Sequence, residues 1–194
     1  FFTQKGKVFW MRVYEIPEGG KNSKGRAMQN LINIEQDDKV KAFLVTQDLK
    51  DEEYINNHYV IMATKKGQVK KTSLEQYSRP RTNGINAITI REGDELLEAK
   101  LTSGDSQVML ALKSGKSIRF EEAKTRPMGR TASGVRGITL AHENDEVIGM
   151  VAVNDMESNI LVVSERGYGK RSKLEDYRVT NRGGDIVKSI TINE

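Results

Sequence analysis

In the stretch Thr64-Lys65-Lys66-Gly67-Gln68-Val69-Lys70-Lys71-Thr72, four lysines surround one glycine. Like charges held on a tight turn repel one another, and the chemistry they suit is capture of a polyanion. Phosphates neutralise the cations, and the polyanion releases its own counterions. The arrangement recurs in Leu112-Lys113-Ser114-Gly115-Lys116-Ser117-Ile118-Arg119, in Ser164-Glu165-Arg166-Gly167-Tyr168-Gly169-Lys170-Arg171 and in Thr3-Gln4-Lys5-Gly6-Lys7-Val8. Candidate phosphate contacts at these turns are Lys5, Lys7, Lys65, Lys66, Lys70, Lys71, Lys113, Lys116, Arg119, Arg166, Lys170 and Arg171. The loops that follow add Arg79, Arg81, Arg126, Arg130, Arg136 and Arg182. One such turn is explained by solubility alone, because edge lysines block strand-to-strand aggregation. Four in register point to a shared basic surface.

Other chemistry finds little support. His58 and His142 lie far apart in polar segments, and with no cysteine there is neither a thiolate metal site nor a disulfide. Arg166-Gly167-Tyr168-Gly169-Lys170-Arg171-Ser172 resembles a phosphate-binding loop only faintly: Ser164 stands where the first glycine belongs, and no Ser or Thr follows the lysine directly. Tyr177 beside Arg178 invites comparison with a tyrosine nucleophile. However, Ser73-Leu74-Glu75-Gln76-Tyr77 and Lys173-Leu174-Glu175-Asp176-Tyr177 match two repeats apart, as packing residues do. The carboxylates flank glycine or asparagine in turns and read as solvated loop residues. Trp10 reads as a core anchor. No catalytic set emerges.

The elements that position the cations repeat with a period of about 50 residues. A second marker keeps step with the glycine turns: Ile32-Asn33-Ile34, Ile88-Thr89-Ile90, Ile138-Thr139-Leu140 and Ile190-Thr191-Ile192. A third is acidic, at Asp37-Asp38, Asp94-Glu95 and Asp145-Glu146. Apolar runs rich in β-branched residues at 60–64, 108–112 and 160–164 lead into the turns, as buried strands do. Segments 85–90 and 95–101 supply further strands, and only Ser73–Tyr77 reads as a helical turn. Four antiparallel strands per unit describe a propeller blade. The expectation is an all-β, β-propeller-like array of about four four-stranded blades forming one domain over 1–194, with repeats 1–57, 58–105, 106–157 and 158–194. The first repeat holds a remnant of its opening strand and the last stops after its third. Neighbouring blades are therefore expected to exchange strands, and the opening Phe1-Phe2-Thr3 reads as part of a longer protein. Residues 47–57 read as a polar insertion in a surface loop.

Hydrophobic residues make up 37% and charged residues 30%, as in a globular protein. No apolar run suffices to span a bilayer. The net charge is only +4, with a pI near 9.2. Yet segments 5–26, 64–86, 113–136 and 165–182 are basic, while 35–38, 91–98 and 143–146 are acidic. Stacked blades should align the basic hairpins in one stripe and the acidic turns in another, away from it. Gly84, Gly129, Gly134, Gly137, Gly183 and Gly184 would let a duplex backbone approach closely. With aromatics at 6%, there is no stacking platform for single strands. Double-stranded DNA, bound without sequence preference and bent along the rim, is the expected ligand. A protein-interaction propeller is the rival and requires an exposed apolar patch.

The residues 65–72, Glu92-Gly93-Asp94-Glu95-Leu96, Arg126-Pro127-Met128-Gly129-Arg130-Thr131-Ala132-Ser133-Gly134-Val135-Arg136-Gly137-Ile138 and Gly167-Tyr168-Gly169-Lys170-Arg171 closely resemble the C-terminal domain of the bacterial DNA gyrase A subunit. The resemblance runs over essentially the whole chain. It implies a β-pinwheel whose basic rim wraps DNA, within a cytoplasmic, nucleoid-associated type II topoisomerase. It also implies two partners in a heterotetramer: the gyrase B subunit, together with the rest of the gyrase A subunit. The resemblance places no cofactor in this segment, and assigns ATP, Mg and the DNA-cleaving tyrosine to other parts of the parent. The related domain of the topoisomerase IV A subunit is the near alternative, with the 126–138 motif favouring gyrase. Gyrases carry a box Gln-Arg-Arg-Gly-Gly-Lys-Gly that this sequence lacks: Asn181-Arg182-Gly183-Gly184-Asp185 has Asp185 in place of the lysine. The departure implies weaker DNA binding and an incomplete wrap by this segment alone.

Overall fold

The glycine turns are hairpins, and they organise the molecule. A computed structural model describes residues 1–191; Ile192 of the last Ile-Thr-Ile marker lies outside the described residues. Gly6, Gly67, Gly115 and Gly167 have φ of 86°, 85°, 76° and 84°, a region costly for any residue with a Cβ. They join β1 (Phe2–Thr3) to β2 (Lys7–Val8) and, after β3 (Val40–Ala42) and α1 (Glu52–Asn57), β4 (Tyr59–Thr64) to β5 (Gln68–Ser73). Next come β6 (Ile85–Asn86), β7 (Leu96–Thr102) and the hairpin of β8 (Gln107–Leu112) and β9 (Lys116–Glu121). The chain continues through β10 (Val135–Arg136), β11 (Val147–Val153) and the hairpin of β12 (Asn159–Val163) and β13 (Gly169–Lys173), to β14 (Val179–Thr180) and β15 (Val187–Lys188).

The pairing confirms strand exchange. β3, β7 and β11 each pair antiparallel with the first strand of their own hairpin, and β7 packs beside both β3 and β11. The other flank is filled by the next repeat: β6 on β2, β10 on β5, and β14 with β15 on β9. The array is all-β and propeller-like. It departs from four equal blades: two sheets have four strands and one has five, while β12 and β13 form a two-stranded sheet among the described residues.

The unbroken apolar run of β4 has a direct explanation. Val60 and Met62 face one cluster with Phe2, Leu74, Tyr77 and Ile88, whereas Ile61 and Ala63 face a second with Val69, Leu110, Phe120 and Ile138. Side chains alternate across the sheet, so a blade buried on both faces needs hydrophobic residues at every position. Each fully buried side chain of this size contributes roughly 1.5–3 kcal/mol. The 74–77 helical turn is a 3-10 turn in the structure, and its Tyr77 is buried with its hydroxyl donating to the Ala87 carbonyl at 2.9 Å. Tyr177 is buried as well, so both tyrosines pack rather than face solvent. Trp10 packs against the first cluster and donates to the Tyr77 carbonyl at 3.0 Å.

The 47–57 insertion is not simply a loop. Asp51 Oδ1 accepts the Glu53 and Tyr54 amides at 3.0 and 3.2 Å, capping α1, and Ile55 is buried beneath it. A carboxylate on two orphan N–H groups stabilises so short a helix where periodicity is too brief to read. His58 is half-buried with Nδ1 2.8 Å from the Tyr54 carbonyl, and His142 is exposed. Among the described residues, no group of three His, Cys, Asp or Glu could hold a metal, and no helix is long and apolar enough to cross a membrane.

Candidate nucleic-acid interface

Each of the first three hairpin tips is held by an aspartate from its own blade. Asp38 Oδ1 accepts the Lys5 amide at 3.1 Å, Asp94 Oδ1 the Lys66 amide at 2.9 Å, and Asp145 Oδ1 the Ser114 amide at 3.0 Å. The same oxygens accept the following amides of Lys39, Glu95 and Glu146 at 2.8, 2.8 and 3.0 Å. Main-chain bonds finish the clasp, Lys65 N–H to Glu95 O at 3.0 Å and Lys113 N–H to Glu146 O at 2.9 Å. The next blade joins in: Leu96 N–H donates to Gln4 O and Val147 N–H to Lys65 O. The carboxylates read from sequence as solvated turn residues are therefore the fixing points of the hairpins.

This geometry overturns the expected separation of acidic and basic stripes, because the acidic turns lie against the basic tips. Lys5 pairs with Glu35 and Asp37 at 3.1 and 2.6 Å, and Lys7 with Glu35 at 2.5 Å. Lys65 sits 2.5 Å from Glu95 of its own blade and 3.5 Å from Glu146 of the next. The hydrogen bond to Asp37, then that to Glu35, raises the Lys5 pKa, and the hydrogen bond to Glu95 raises that of Lys65. Lys65 in turn holds Glu95 below the usual carboxylate range. A phosphate reaching these cations would have to displace a carboxylate already in place.

Three candidates are corrected outright because they are buried: Lys70 at 0%, Lys71 at 5% and Arg119 at 7% exposure. Lys70 Nζ donates to the carbonyls of Ala87 and Arg130, both at 2.6 Å. Burial, reinforced by the Arg130 charge, pulls its pKa down to about 7. Lys71 Nζ donates to Gly104 O at 3.2 Å, lies 3.1 Å from the buried Glu122 carboxylate and sits 4.3 Å above the Tyr59 ring. Arg119 donates to the carbonyls of Leu174 and Tyr177 at 2.7 and 2.8 Å and to Gln107 Oε1 at 2.6 Å. Lys71, Arg119 and Trp10 occupy the same place after the turn glycine, and each points an N–H donor inward. Trp10 and Arg119 reach main chain of the following repeat.

The loops that carry the exchanged strands form a connected row. Asn33 Nδ2 donates to Asn83 Oδ1 at 2.9 Å, Thr89 Oγ1 to Thr131 O at 2.7 Å, and Gly183 N–H to Gly137 O at 2.8 Å. The Arg182 guanidinium reaches Arg136 O and Lys124 O. Along this row Arg79, Arg81, Arg126 and Arg136 are exposed, while Arg130 and Arg182 are half-buried. Lys66, Lys113, Lys116, Arg166, Lys170 and Arg171 are exposed on the hairpins. Among the described residues, none of these ten exposed side chains forms an ion pair. The uncompensated cations therefore lie on the loops and on part of the hairpins, whereas Lys5, Lys7 and Lys65 are paired with acidic turns.

The loop glycines serve packing more than ligand approach. A methyl group on Gly137 would lie 2.5 Å from Val69 Cγ1, and one on Gly134 2.5 Å from Val69 O. Only absent side chains let these segments lie flat on the preceding blade. Gly129 is different, with open space around it. The clasping role of the aspartates was missed from sequence, although Asp38, Asp94 and Asp145 stand in the acidic marker of the first three repeats.

The family model for the DNA gyrase C-terminal domain, beta-propeller, matches residues 1–47, 58–103, 108–154 and 158–194. The DNA gyrase A subunit of Staphylococcus aureus (strain NCTC 8325 / PS 47) is 44% identical over the whole chain, which spans 21% of that protein's length. Among solved structures, the C-terminal domain of a DNA topoisomerase IV superposes with a TM-score of 0.81 at 27% identity, over 94% of this chain and 55% of that one. A DNA gyrase A C-terminal domain gives 0.77 at 24% identity, over 94% and 56% respectively, a likeness of fold. With the matches covering nearly every repeat, this chain belongs to the DNA gyrase C-terminal domain family.

Proposed function

We propose that the chain binds double-stranded DNA without sequence preference and bends it across the row of exchanged-strand loops. In the parent it would serve as the DNA-wrapping part of a gyrase A subunit, in a cytoplasmic type II topoisomerase that uses ATP bound by the gyrase B subunit. The observation that carries this reading is the hydrogen-bonded succession of loops bearing Arg79, Arg81, Arg126 and Arg136, without acidic partners among the described residues. Guanidinium groups fork onto phosphate oxygens, and a row fixed to a rigid sheet holds them at set spacing. Since no base-reading set accompanies them, affinity comes from the phosphate backbone and from the duplex's deformability. Where about six phosphates are contacted, log K against log[salt] falls with a slope of roughly −5. Fluorescence anisotropy with unrelated duplexes of equal length measures it. Equal affinities and that slope are expected; a slope near zero contradicts the reading.

A further inference from the structure

Besides the loops, each of the first three hairpins presents one outward cross-strand pair where it meets the exchanged strand. The residue after the turn glycine opposes the residue two before the marker isoleucine: Lys7 with Asn86, Gln68 with Arg136, and Lys116 with Lys188. Side chains alternate across a sheet, so the neighbouring pairs face the other way. There Val8 and Val69 are buried, and the buried Ser189 hydroxyl donates to that of Ser117 at 2.6 Å. Lys116 and Lys188 are exposed on the outer face.

The third pair differs from the others in that both members are cations. Directly opposed Cβ atoms of antiparallel strands lie about 4.5–5.5 Å apart, and like charges so placed disfavour pairing. The carboxylates that could relieve the pair are missing or engaged. In the first blade Glu35, three residues after the marker isoleucine, binds Lys7 at 2.5 Å; in the third, Ala141 holds that place. Asp185, the one carboxylate of segment 178–188, is taken by Arg178 at 3.3 Å. Among the described residues, neither Lys116 nor Lys188 forms an ion pair.

We infer that Lys188, together with Lys116, grips one phosphate of the duplex on the outer flank of the third blade. This contact presupposes the duplex binding proposed above and is additional to the loop arginines. Lysine ammonium groups are point charges with rotatable donors on flexible stems, so two of them can turn onto one anion from opposed backbone positions. A phosphate between them replaces their repulsion with charge-assisted hydrogen bonds. Lys188 stands where Arg136 stands one repeat earlier, so the second and third blades carry cations at equivalent places on the rim. The first blade does not continue the series, because Asn86 is neutral and Lys7 is held by Glu35.

Fluorescence anisotropy with one duplex over a series of salt concentrations compares the unaltered chain with Lys188→Gln, Lys188→Arg and Lys50→Gln. Lys50 is an exposed cation of the 47–57 insertion, so its variant removes the same charge away from the flank. Lys188→Gln should lower affinity about fivefold and make the slope of log K against log[salt] shallower by about 1. Lys188→Arg should restore both, and Lys50→Gln should change neither. By urea unfolding, Lys188→Gln should be at least as stable as the unaltered chain, since it removes a like-charge contact. An affinity loss no larger than that of Lys50→Gln, or one accompanied by a lower urea midpoint, would overturn the phosphate contact while leaving duplex binding intact. Failure of the unaltered chain to bind duplex would overturn both.

Discussion

At the residue scale, the sequence presents lysines and arginines as one class, and the structure divides them by what their nitrogens touch. Lys70 is the sharpest case. Its folded pKa of about 7 lies below the ordinary 10.5, so between those values the unfolded chain binds more protons than the folded one. Stability should therefore rise as pH increases from 7 toward 10, and Lys70→Met should remove that rise. Urea unfolding at pH 6.5 and 9 checks it; an equal pH dependence in both proteins would contradict the buried site. Lys71 tests burial differently. Lys71→Met leaves the Glu122 carboxylate with only Thr102 and Ser106 as partners, and should cost about 3–5 kcal/mol. In both variants DNA affinity should stay within about twofold where the protein is folded, because neither amine reaches a phosphate. That division was hidden in the sequence. Lys70 and Lys71 lie a few residues from Lys65 and Lys66, and groups distant in sequence cover them: the Ala87 and Arg130 carbonyls for Lys70, and Tyr59, Gly104 and Glu122 for Lys71.

Within the element, the unit that repeats is a glycine hairpin, its aspartate clasp and a borrowed strand. Asp145 accepts amides of Ser114, Ala141 and Glu146 and the Ser114 hydroxyl, whereas Asp94 accepts two amides. Asp145→Ala should therefore destabilise more than Asp94→Ala, by about 3 against about 1.5 kcal/mol. Chemical denaturation of the two variants decides, and equal losses would argue against the clasp. For Asp145, burial opposes ionisation, but the bonds from Ser114, Ala141 and Glu146 prevail and lower its pKa. Its stabilisation is present above the unfolded pKa and is lost as pH falls through the folded one. The strands, the hairpins and the exchange between blades were legible because the glycine, isoleucine and acidic markers recur in order. Contacts between markers were not: Lys66 and Asp94 are far apart in sequence and meet only after the blade closes. The helix at 52–57 escaped notice because its apolar face is little more than Ile55.

For the whole molecule, a modest net charge conceals two kinds of basic surface, one neutralised and one free. Lys5, Lys7 and Lys65 at the tips are bound to acidic turns, whereas the arginines of the exchanged-strand loops and the tip residues Lys66, Lys113, Lys116 and Arg166 have no such partner among the described residues. Both were visible as basic segments, but one dimension of charge cannot show that segments 35–38 and 91–98 fold back onto the lysines. The most direct measurement compares two variants by anisotropy on one duplex at fixed salt. Arg79, Arg81, Arg126 and Arg136 changed together to Glu should lower affinity at least about a hundredfold, about 2.7 kcal/mol or more. Lys5, Lys7 and Lys65 changed together to Gln should alter it less than about fivefold. The reverse ranking, with the loops silent and the tips decisive, would contradict the account.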